Sequence, residues 1–559
     1  MGLKRCILAR FIVGAIAVAL AAGSACRKTE AGSCEFWSGR LTSETDELAS
    51  VRALAEQRCA GASEALAAHL PKSRVPGEVV AALGALGPND AARAALRAAL
   101  VDERTAEAAA RVLVEWRDPV DALRAALVAP GAERRRGALL DAALALSDGG
   151  TAALLDEIAT VAAADPATQG MEVSRRAAAL LAEGAGAGPR ESRARLSALA
   201  VEGLLRAPLR ADVAGASLRL ALARLGLADP GPLVAALPDE AAAAPLIAEV
   251  LWDAGVTGPV VAHAAAVLRA EEATPRRLLQ CAAASVALGA SAEPLSELLV
   301  AAPHRRAEVA DALGLAGQSA ALWERFAAEA GASRAALVGP LALAIPASDL
   351  PRWETDVVKS PSVLVREAGE QAAAAVAALR QSPERPWVTQ LQAAAPSLPA
   401  LGPALAAARD AHDAARQEAE AAIERETKAF HAAEDAEGAA TAEVRKAAMD
   451  ALRRRRDELF APLAPLQAII DAHEAARVGA LRALLGTARD RPEGAWEATA
   501  AVYEAAAHEE LADLRFWAAV ALERLAGPAD APRLREVATR HLPADTAVHL
   551  LAVATRVGR

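Results

Sequence analysis

The feature that most constrains this chain is a helix-breaking motif that returns every 28–35 residues. It reads GLADPGP at Gly226–Pro232, DAGVTGP at Asp253–Pro259, LGASAEP at Leu288–Pro294 and AGQSA at Ala316–Ala320. Fainter copies begin at Gly87, Arg117, Ser147 and Gly527. Each copy separates two short Ala/Leu-rich segments. Ala214, Leu218, Leu222 and Leu225 fall on one helical stripe; the chain then breaks, and Leu233 and Leu237 resume a stripe. Asp229-Pro230 supplies turn chemistry, with proline suited to starting the next helix. A hairpin of this kind has an apolar face that it cannot bury alone, so a fixed period of this length indicates hairpins that stack on their neighbours.

Composition agrees. Of 559 residues, 54% are hydrophobic but only 3% aromatic, and alanine dominates. Alanine has the highest helix propensity. No stretch alternates convincingly with period two, so essentially no sheet is expected. The length exceeds what one ordinary core supports, a limit that stacked repeats escape. The predicted fold is all-α, an α-solenoid with an inserted long helix or helical hairpin. The net charge of −10 becomes about −13 once Lys4, Arg5 and Arg10 are set aside, which argues against a nucleic-acid partner.

Residues 1–25 read as an export signal: a basic start, a 12-residue apolar run from Phe11 to Ala22, then small residues before Cys26. Twelve apolar residues are too few to span a bilayer comfortably. The segment Ala22-Gly23-Ser24-Ala25-Cys26 resembles a bacterial lipobox, although Gly23 stands where Leu or Val is usual. The resemblance implies that Cys26 carries a lipid and anchors the chain to a membrane, facing the periplasm. Arg27 rather than Asp after the cysteine implies the outer membrane by the same resemblance. The alternative is ordinary cleavage after Ala25, leaving a secreted soluble protein. In an oxidising compartment Cys34 and Cys59 form a plausible disulfide, closing a loop worth roughly 3 kcal/mol in the chain-entropy model. The alternative is two free thiols. Cys281 lies within a repeat helix and reads as a small buried hydrophobe.

The chain therefore divides into a tether at 26–45, repeats at 46–400, a charged segment at 401–462 and further helical repeats at 463–559. The charged segment has no proline from Ala404 to Ala461 and one glycine, Gly438. It is either one helix of about 87 Å or a hairpin turning near Gly438. We favour the hairpin, because so long a helix would be poorly supported.

The stretches Val213–Leu237, Val365–Val376 and Leu514–Leu525 resemble the HEAT-like repeats of the phycobilisome-lyase type. That resemblance implies architecture and says little about activity, since one fold hosts many functions.

Signals of chemistry are sparse. His473-Glu474 and His508-Glu509 resemble the His-Glu pairs with which HEAT-like metal hydroxylases bind iron. Such sites need several converging pairs. Only two occur here, and adjacent helical residues point about 100° apart. No catalytic residue, metal ligand or cofactor is assigned. The phosphate loop, nucleophile elbow, zinc-helix and Rossmann signatures are absent. The arginine runs at 134–136 and 453–456 read as solvated, salt-bridged faces. Trp323, Trp353 and Trp387 recur at near-equivalent places after successive breaks. They are either core fillers among small alanines or an aromatic stripe that binds a partner. The expected function is a non-catalytic scaffold with an unidentified protein partner in the bacterial cell envelope. The alternatives are a HEAT-like metal-dependent enzyme or lyase subunit, and a secreted adaptor.

Overall fold

The computed structural model describes residues 32–206, 213–239, 243–270, 275–381, 386–437 and 442–559. Every regular element among them is helical and none is a strand, so the protein is all-α. The signal segment, Cys26 and the start of the tether lie outside the described residues. No described helix is long and apolar enough to cross a membrane. The chain divides into two compact units, one of residues 1–192 with 206–208, the other of residues 193–205 with 209–559. The division falls inside the stretch 46–400 that reads as one array in the sequence.

In the first unit, α1 (Glu47–Glu56), α2 (Pro76–Leu86), α3 (Ala106–Glu115) and α4 (Arg136–Leu146) pack in succession. Their first residues are 29 or 30 apart, the period of the breaks. Each turns a narrow stripe inward: Val51 and Leu54, Val79 and Leu83, Ala109 and Leu113, Leu139 and Leu140 are all essentially unexposed. Each such leucine contributes roughly 2–3 kcal/mol on burial. The turns are fixed by buried acids. Asp118 accepts from Arg97 at 2.7 and 2.8 Å and from Arg93, and burial is outweighed by those cations, which hold its carboxyl below the usual range. Glu47 accepts from Ser73 Oγ at 2.6 Å, His69 Nε2 at 2.8 Å and the Arg74 N–H at 3.0 Å. Cys34, the first residue of a short helix ending at Arg40, is disulfide-bonded to Cys59 just beyond α1, with Cα atoms 5.6 Å apart.

In the second unit the period persists. The helices α5 (Val213–Leu225), α6 (Ala244–Asp253), α7 (Arg276–Ala287), α8 (Arg306–Leu315) and α9 (Val338–Ala344) start 30–32 residues apart and pack in order. The glycines of the recurring motif explain where these helices stop. Gly226, Gly255, Gly289 and Gly317 all have φ between +74° and +114°, a left-handed conformation that ends a helix without Cβ strain. At Gly255 the cap is complete: its N–H donates to Trp252 O at 2.8 Å and the Val256 N–H to Leu251 O at 2.8 Å.

The row continues through α10 (Ala373–Gln381) to the charged segment. That segment is a long helix, α11 (Leu398–Glu437), followed by α12 (Ala442–Phe460), which packs alongside it with Arg455 Nε 3.1 Å from Glu426. The expected turn near Gly438 lies outside the described residues. The first turns of α11 bury Leu398, Leu401 and Leu405 and pack on α13, but farther along few apolar side chains support it. Ion pairs four residues apart, Arg416–Glu420 at 2.8 Å and Lys428–Glu424 at 2.6 Å, reinforce its alanine-rich backbone by a few tenths of a kcal/mol each.

The chain then turns back. The helices α13 (Leu463–Asp490), α14 (Ala512–Leu525) and α15 (Asp545–Val557) do not extend the row. Instead α13 packs on α10, α14 on α13 and α15 on α14, and α15 closes against α5 and α6. The helices of this unit thus form a closed circuit, where stacked repeats read from the sequence would leave open ends.

Candidate functional site

The closure brings together charged side chains that are far apart in the chain. Arg219 of α5 is 3% exposed. It donates to Asp253 of α6 at 2.6 and 3.1 Å and pairs with Glu249. Asp253 Oδ1 also lies 3.0 Å from His549 Nδ1 on α15, and the other ring nitrogen of His549 is 3.0 Å from Glu523 of α14. Arg277 of α7 pairs with Glu249, and Arg556 of α15 with Glu523. The His549 ring stacks on Trp252, centroids 3.6 Å apart and planes within 6°, and Trp252 in turn lies against Phe516.

Charge balance accounts for the arrangement. Arg219, Arg277, Arg556 and a protonated His549 face the carboxylates of Glu249, Asp253, Glu523 and Asp545. Burial opposes the charge on His549, but Glu523 and Asp253 outweigh it and raise the pKa. Burial likewise opposes ionisation of Asp253, but Arg219 and His549 hold its carboxyl at about 2. A cavity of only about 50 Å³ adjoins Arg219, room for a few waters. Both imidazole nitrogens are occupied. Cys281, fully buried nearby, has its thiol pushed far above the ordinary range by burial. The network is built to hold the two rows in register.

A second device repeats along the same seam. Arginines of the returning helices donate to the last carbonyls of the outgoing ones. Arg559 caps α5 through Leu225 O at 2.5 Å, and Arg556 caps α6 through Asp253 O at 3.0 Å. Arg524 caps α7 through Ala287 O, and Arg489 and Arg482 reach Ala344 O and Ile345 O at the end of α9. Each cation meets the negative end of a helix dipole and satisfies an otherwise unpaired carbonyl. Gly226 and Gly255 leave room for this: a Cβ there would fall on the guanidinium of Arg559 or Arg556.

Of the two tryptophan readings, the partner-binding stripe needs correction and the core filling stands. Trp323, Trp353 and Trp387 are 3%, 0% and 3% exposed, and so form no surface stripe. Trp323 donates to Asp349 at 3.0 Å and Trp387 to Asp490 at 2.7 Å. Trp387 lies so close to α13 that a Cβ on Gly486 would overlap its indole. Large rings fill the space that alanine-rich partners leave. Glu474 is salt-bridged to Arg409 and to Arg477, the latter at 2.7 Å, while His508 Nδ1 accepts the Glu510 N–H at 3.2 Å. Among the described residues no three His, Cys, Asp or Glu side chains converge on a metal-sized point. Arg136 is buried and donates to Gln169 at 3.0 Å; Arg455 bridges Glu426 and Glu458, both at 3.1 Å.

The sequence held one overlooked signal for the network. An aspartate in the last turn of a helix, as Asp253 is in α6, opposes the dipole and calls for cationic partners. The fold and seam define an all-helical protein whose second unit closes on buried side-chain ion pairs. No family model matches the chain, and no curated protein shows significant similarity to it.

Proposed function

We propose that this protein is a HEAT-like α-solenoid scaffold of the bacterial envelope. In this reading it is exported by residues 1–25, held at the outer membrane through lipid on Cys26, faces the periplasm and binds a protein partner without catalysis. The observation that carries the address is the Cys34–Cys59 disulfide, since such bonds persist in oxidising compartments. The 29–32-residue spacing of α1–α4 and of α5–α9 supports the repeat reading. The buried tryptophans are not its partner surface.

Fractionation of cells expressing the full chain tests this. The wild type should sediment with membranes and Cys26→Ala should be soluble. Affinity capture from the native envelope should then recover the same partner with both forms. A mature amino terminus without acyl groups by mass spectrometry would refute the anchor and leave the secreted adaptor.

A further inference from the structure

Farther along the same seam, between α7–α9 and the returning α13–α14, lies a cavity of about 360 Å³. Its apolar wall includes Val286, Leu315, Leu343, Leu484, Trp517 and Val520. Its charged lining is Arg482, Arg489 and Arg524, and no aspartate or glutamate lines it.

Those arginines are not fully matched within the protein. Arg489 is paired with Asp490 at 2.7 Å. Arg482 is 1% exposed, lies 4.8 Å over the Trp387 ring and caps Ile345 O, yet its Nε has no hydrogen-bond partner among the described residues. Arg524 caps Ala287 O, and its Nε is likewise buried and unpartnered. A helix end offers about half a negative charge. Two guanidiniums facing two such ends therefore retain about one positive charge, offset only by Asp490, which Arg482 shares with Arg489. Burial, with Arg489 nearby, outweighs the pull of Asp490 and lowers Arg482 to about 9, the mark of a charge short of compensation. An uncompensated buried charge is costly, and packing alone would be served as well by Leu or Met.

We propose that this cavity binds a small amphipathic monoanion. Its carboxylate would sit on Arg524, with the enclosed charge of Arg482 behind it, and its short apolar body against Trp517 and the leucines. The volume is at the small end of ligand pockets, which suits a chain of several carbons rather than a full lipid. Arginine forks match a carboxylate in geometry as well as charge.

Octanoate is the probe, titrated calorimetrically into the full chain, with octanol and acetate as controls. Octanoate should bind at one site, with octanol and acetate at least roughly tenfold weaker, as expected when a charged hydrogen bond or the apolar contact is lost. Arg524→Gln should weaken octanoate by a similar factor. Because that change also uncaps α7, a second variant keeps every arginine: Ala290→Phe, at the cavity wall, should abolish binding while the melting temperature stays near wild type. No binding of octanoate, equal binding of octanol or acetate, or unchanged binding by Ala290→Phe would each overturn the proposal.

Discussion

Removing the Asp253 carboxylate should release the closing helix of the second unit. In Asp253→Ala, Arg219 keeps Glu249 and a distant Asp545 at 3.7 Å, and the fully buried His549 keeps only Glu523. Breaking one partner out of a buried ionic cluster costs about 3–5 kcal/mol, because the partners left behind remain desolvated. The cost falls where Asp253 joins α5 and α6 to α15, so it should appear as easier opening of α15, not as uniform loosening. At about 1.4 kcal/mol per decade, amide exchange across Asp545–Val557 should accelerate roughly 10²- to 4 × 10³-fold. Hydrogen exchange read by mass spectrometry measures this in the intact chain, and α1–α4 serve as the internal control. Exchange of α15 within about threefold of wild type, a change under ~0.7 kcal/mol, would refute the view that this cluster locks the circuit.

Three further outcomes follow from the same geometry. His549 has a raised pKa in the folded state, so its contribution is complete below the ordinary histidine value near 6.5 and is lost as pH rises through the raised value; thermal melts should show stability declining over that range, and His549→Gln should flatten the dependence. Cys34→Ser/Cys59→Ser should cost the first unit roughly 3 kcal/mol, and peptide mapping without reductant should recover the linked pair from wild type; two freely alkylatable thiols in oxidised native protein would contradict it. Trp323→Ala, Trp353→Ala and Trp387→Ala should each lose about 3–5 kcal/mol, seen as lowered denaturant midpoints, whereas unchanged midpoints would return these rings to the surface.

The sequence by itself determined local structure. Alanine-rich stripes dictate helices, and the glycines at 226, 255, 289 and 317 dictate where helices stop, because only a residue without Cβ enters a left-handed turn at no cost. The pairing of Cys34 with Cys59 was legible because they are nearby in the chain. The exposure of the tryptophans was not. When a helix is apolar with small alanines around much of its circumference, periodicity does not say which face is covered or how large a gap a ring must fill.

Closure was decided only by tertiary structure. Asp253 and His549 are 296 residues apart, and Arg219 and Asp545 are 326 apart. Each is one charged residue on an otherwise unremarkable helix, with no repeat or spacing to connect them. A helical row read along the chain has nothing to say about whether its ends meet. That depends on the crossing angle of each helix on the next, and on whether the arginines of α13–α15 arrive opposite the helix ends of α5–α9. Both are properties of packed side chains summed over many helices, which is why the period is written in the sequence and the closure is not.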